Sequence, residues 1–76
     1  MISKKLVEEV NKQINKELYS MYLYRSMSHW LQNNNFPGMG KWMSIQGKEE
    51  NEHAEKFEAY LNDVGAAVVL EAIEKP

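Results

Sequence analysis

Cysteine is absent from the chain. That excludes disulfide staples, thiolate zinc sites and Cys-ligated iron–sulfur clusters. It agrees with a reducing cytoplasm, where the protein is expected to work. Proline is nearly absent, with two residues, and glycine is sparse, with four, so few positions can interrupt a helix. No apolar run approaches the roughly 18 residues of a membrane span. The opening MISKKLVEEVNKQINKE is too polar for a signal peptide. A dominant charge is lacking too: nine basic residues face eleven acidic ones, a net charge of −2, which is no footprint for nucleic acid or an anionic membrane. What is present argues for a folded soluble domain, because 43% hydrophobic and 11% aromatic content is too much for disorder. Seventy-six residues make one domain at most, and one so short is marginal alone without a metal or partners.

The main punctuation is NNNFPG at 33–38, a cluster that marks a turn, with Pro37 suited to the first turn of a new helix. Residues 4–32 contain neither Gly nor Pro, and Ser3 is placed to cap them. The pattern predicts a helix over about 4–33, a turn at 33–37, a second helix over about 37–64 stopped by Gly65, and an extended tail at 66–76. In the first helix Val10, Ile14, Glu17, Met21, Tyr24, Ser28 and Leu31 recur at spacings of four and three. In the second, Met39, Met43, Gln46, Glu50, His53, Phe57, Tyr60 and Val64 do the same. Such stripes face a bundle core. Helices of about 28–30 residues run roughly 42–45 Å, and the short turn makes them antiparallel neighbours. The fold class is therefore all-α: an antiparallel hairpin forming half of a four-helix bundle. The tail AAVVLEAIEKP loses the stripe and reads as a connection onward. Gly47, inside the second helix, is either a close-packing position or a tolerated glycine.

Both stripes carry acidic or basic intruders. Glu17 lies between Ile14 and Met21; Glu50 and His53 lie between Met43 and Phe57. A buried carboxylate is costly unless paired or metal-bound, and residues at i and i+3 share a helix face, so Glu-x-x-His can share a metal. Measured from a turn centred between Asn34 and Asn35, Glu17, Glu50 and His53 stand roughly 26, 23 and 28 Å away along their helices. Antiparallel packing brings them level. Two carboxylates and an imidazole suit Fe, Mn or Zn. Bundle diiron sites use one Glu from each of two helices and a Glu-x-x-His from each of the other two, and this chain supplies half of that set.

NKQINKELYSMYLYRSMSHW, the turn, GKEENEHAEKFEAYLNDVG and the V-x-L-x-x-I-x-x-P tail from Val68 to Pro76 together resemble the N-terminal half of bacterial non-haem ferritins, over the whole chain. The resemblance implies iron as the metal, with Fe²⁺ oxidised to Fe³⁺ and stored as mineral inside an oligomeric shell. It implies that Glu17 and His53 bind one iron and Glu50 bridges two. Tyr24 would hydrogen-bond beside the metal and be open to oxidation, and Glu49 would help hold a third iron. Ferritin subunits are about twice as long, and their third and fourth helices complete the second iron site. The chain is then either a fragment whose own second half carries the missing helices, or a subunit completed by other copies, as a homo-oligomer, or by a second chain. Two other readings remain: a structural hairpin that dimerises into a four-helix bundle, and a small diiron oxidase without storage. A rubrerythrin-type protein is disfavoured by the missing cysteines. Haem is not expected, because no methionine follows Met43. Glu52, Glu55 and Glu58 read as a solvated helix face, His29 as a surface or interface residue, and Trp30 and Trp42 as packing.

Overall fold

The structure, a computed structural model, describes residues 2–76. Two helices, α1 (Lys4–Asn33) and α2 (Pro37–Asp63), form an antiparallel hairpin. Ser3 caps α1 as its sequence position suggests: its side-chain oxygen accepts from the Leu6 N–H at 3.1 Å. Both helices end in the same way. The Phe36 N–H donates to the Leu31 carbonyl at 2.8 Å, and the Ala66 N–H donates to the Leu61 carbonyl at 2.9 Å. Each closure needs a left-handed residue just before it, and Asn35 (φ 67°) and Gly65 (φ 72°) supply it. Asn tolerates that conformation better than other residues with a side chain, which explains an asparagine where glycine is usual.

On α1 the seam between the helices follows the predicted stripe, but on α2 it does not. Its α2 side is Gly40, Gly47, Ala54 and Leu61, all buried and seven residues apart. On α1, Ile14 and Ser28 are buried, Ile14 packing with Ala54 and Leu61 as the core. Glycine lets the two backbones approach: a Cβ on Gly47 would meet the Met21 carbonyl oxygen at 3.3 Å, and one on Gly40 would meet Gln32 Cγ at 2.6 Å and the Ser28 carbonyl oxygen at 3.1 Å. The close approach also lets Ser28 Oγ donate to the Gly40 carbonyl at 2.6 Å while accepting from Gln32 Nε2 at 3.1 Å. Gly47 is thus a close-packing position. Gly40→Ala gains helix propensity of up to about 1 kcal/mol, but overpacking against backbone typically costs about 1–3 kcal/mol. A net loss of about 1–2 kcal/mol is the expected result of a denaturant titration.

The open face explains the shape. The molecule measures 51 × 20 × 12 Å, one helix thick in its thinnest direction. Its radius of gyration is 14.8 Å, against about 11 Å for a compact domain of this length. Met39, Tyr60 and Val64, all on the predicted stripe, stay exposed. A single layer buries one seam and leaves these α2 residues for another layer. Residues 66–76 form no regular structure but are held to α1: Asn11 Nδ2 donates to the Ala67 carbonyl at 3.1 Å, and its Oδ1 accepts from the Val69 N–H at 2.9 Å.

Candidate metal centre

Helix geometry and the length of the turn bring Glu17 of α1 level with Glu50 and His53 of α2. One ligand atom from each lies within 4.8 Å of the others, the only such group of three or more among the described residues. His53 Nδ1 stands 3.4 Å from Glu17 Oε2 and 3.7 Å from Glu50 Oε2. Glu17 is the most enclosed of the three, with a side chain 14% exposed; Glu50 is 25% and His53 52% exposed. The donors therefore sit at the edge of the seam, open on one side.

The carboxylates shift each other in opposite directions. A hydrogen bond to Glu17 raises the Glu50 carboxyl above its ordinary value, reinforced by burial and by the Glu17 charge. The same bond lowers Glu17, helped by hydrogen bonds from Gln13 and His53 against the opposing effect of burial. Of the two acids Glu50 therefore keeps its proton to the higher pH, the expected behaviour of neighbouring carboxyls that oppose each other's ionisation. A cation entering between them competes with protons for the same oxygens. Metal affinity is expected to fall as pH drops through the raised Glu50 range, with protons released on binding; calorimetry in buffers of different ionisation heat reads both. For the metal-free fold the signs oppose. The Glu50 contribution to stability is lost as pH rises through its raised value, and the Glu17 contribution is lost as pH falls through its lowered one.

The donor set fits a divalent transition metal. Metal–oxygen and metal–nitrogen bonds of about 2.1 Å let one ion span two donors up to about 4.2 Å apart, and His53 Nδ1 lies within that reach of both carboxylates, at 3.4 and 3.7 Å. Nitrogen and oxygen donors with no thiolate suit Fe, Mn or Zn. Three donors leave coordination positions open toward the unpartnered face.

Other sequence candidates fall outside this cluster. Glu49 is exposed on α2 and contributes no atom to it. Tyr24 is half-buried, its Cβ beside Gly47, one turn before Glu50. His29 is exposed near the end of the tail, beside Lys75 and Pro76. One neighbour was missed by sequence reasoning: Gln13 Nε2 donates to Glu17 Oε1 at 2.9 Å. The only signal for it was an amide four residues before the carboxylate, a spacing that places two side chains on one helix face.

A hairpin with a Glu on one helix and Glu-x-x-His on the other, and an uncovered apolar face, defines one half of a carboxylate-bearing four-helix bundle. Comparison with known proteins agrees. Residues 7–76 match the family Ferritin, described as a ferritin-like domain, and the chain belongs to that family. The bacterial non-heme ferritin of Campylobacter jejuni is 41% identical over all 76 residues, a match covering 46% of that protein. Soma ferritin of Lymnaea stagnalis is 44% identical over 69 residues, 88% of this chain and 40% of its own length. An open-pore ferritin from the hyperthermophilic archaeon Archaeoglobus fulgidus superposes with a TM-score of 0.97 at 42% identity, over all of this chain and 47% of that one. The chain thus spans about half the length of the relatives it matches.

Proposed function

We propose that this chain takes part in iron storage with ferroxidase activity, as the half of a ferritin-like bundle that carries the first iron-binding residues. The observation that supports it most is the convergence of Glu17, Glu50 and His53 within 4.8 Å, on a fold whose relatives are named ferritins. Iron is the substrate. In this reading Glu17 and His53 hold one Fe²⁺, and Glu50 bridges it to a second whose remaining ligands come from two further helices. Those helices come from a continuation of this chain, from other copies of it or from a second chain, and they also cover the exposed stripe of Met39, Tyr60 and Val64. The carboxylates favour Fe³⁺ over Fe²⁺ because the added positive charge is stabilised by fixed negative donors. Two Fe²⁺ ions each release one electron, and O₂ takes both with two protons to become hydrogen peroxide. Tyr24, beside the Glu50 turn, hydrogen-bonds next to the pair, and Glu49 helps to hold a third iron. Work in the cytoplasm follows from the same reading; among the described residues no helix is long and apolar enough to cross a membrane.

Aerobic loading with Fe²⁺ separates this reading from its rivals. Storage requires many irons retained per chain in a large assembly. About two irons per pair of hairpins in a small assembly means an oxidase that stores nothing. No iron in a small dimer leaves a structural bundle.

A further inference from the structure

A carboxylate that serves a metal has two oxygens, and its usefulness depends on which one faces the ion. Glu17 divides them. Oε1 accepts the Gln13 amide N–H at 2.9 Å, and Oε2 faces His53 Nδ1 at 3.4 Å. Both side chains are partly buried, and the i, i+4 spacing on α1 fixes their mutual geometry. Glu17 is also the least exposed of the three donors, so little water competes for Oε1. Among the described residues, the polar contacts of Glu50 and His53 run to one another and to Glu17.

We propose that Gln13 is a positioning residue for Glu17: its amide holds Oε1 and so presents Oε2 to a cation shared with His53 and Glu50. The proposal rests on the metal-binding reading of the cluster. The supporting chemistry is general. Groups that hydrogen-bond a ligating carboxylate fix its orientation, and removing one typically weakens metal binding about 10–100-fold. Without the amide, Glu17 rotates freely, and both the order of its rotamers and the choice of oxygen are lost. A helix-stabilising pair at i, i+4 would look alike in geometry but would act on stability and leave the metal's surroundings unchanged.

The test uses the full chain and Co²⁺ alone, whose visible absorption reports the ligands around it, in the parent protein, Gln13→Met and Glu17→Ala. Methionine keeps the length and helix propensity of glutamine but donates nothing. The expected result is Co²⁺ affinity about tenfold weaker in Gln13→Met, an altered band shape at saturation, and an unchanged thermal midpoint, with no site band in Glu17→Ala. Parent-like affinity and band in Gln13→Met, with Glu17→Ala inactive, would overturn the positioning role while the site stands. A lowered midpoint with an unchanged saturated band would also overturn it, making the pair a helix stabiliser. Undiminished binding in Glu17→Ala would remove the site itself and this role with it.

Discussion

Glu50→Ala is expected to slow Fe²⁺ oxidation by at least about 100-fold, because even groups behind metal ligands cost 10–100-fold when removed and Glu50 is itself a proposed ligand. It is the residue that would bridge the two irons, so its loss affects both positions and their separation. The same substitution should leave the fold intact or make it slightly more stable. Glu50 is one of two carboxyls crowded at one spot, its own raised by the hydrogen bond to Glu17, by burial and by the Glu17 charge. Alanine removes that conflict and has the higher helix propensity. Function lost while stability is kept or gained is the signature of a residue placed for chemistry. Stopped-flow absorbance at the ferric charge-transfer band measures the first effect and a thermal melt the second. Parent-like oxidation in the variant would sink the bridging role.

Ile14→Ala should have the opposite profile. Ile14 is 1% exposed and, with Ala54 and Leu61, forms the buried core. Truncating a fully buried isoleucine typically costs about 2–5 kcal/mol, as lost transfer free energy plus the cavity left behind. Folded domains have only about 5–15 kcal/mol of stability, and short ones sit low in that range. At about 4–8 °C per kcal/mol for a chain of this size, the thermal midpoint should fall by roughly 8–40 °C. Ile14 also precedes Glu17 by one helical turn, so metal affinity should fall as the frame loosens. Circular dichroism melts read the effect; a drop below a few degrees would mean that the seam is not held by this core.

The two substitutions separate what was legible in the sequence from what was not. The hairpin was legible, because NNNFPG punctuates two long stretches of helical periodicity and a short turn allows only antiparallel neighbours. The meeting of Glu17 with Glu50 and His53 followed from counting residues outward from that turn, since the rise per residue is nearly constant along a helix. The α1 side of the seam was legible, because Ile14 and Ser28 lie on its stripe; the α2 side was not. Periodicity finds apolar residues, and on α2 the stripe it found reaches the face left open for the rest of a bundle, where Met39, Tyr60 and Val64 remain exposed. The contact inside the hairpin runs through Gly40, Gly47 and Ala54, whose small side chains carry little hydrophobic signal. Their regular spacing of seven was present in the sequence, yet glycines in a helix read first as weak points. Asn35 was equally hidden, since its positive φ depends on how α1 closes. The Asn11 clamp on the tail and the Gln13 anchor on Glu17 depend on side-chain orientation, which spacing alone does not give.

The most direct test of the metal centre is anomalous diffraction at the iron absorption edge from crystals of the chain exposed to Fe²⁺ without oxygen. The expected result is a peak within bonding distance of Glu17, Glu50 and His53 Nδ1, with Glu17 Oε1 still held by Gln13. Iron bound elsewhere, or no peak at the three residues, would contradict the assignment.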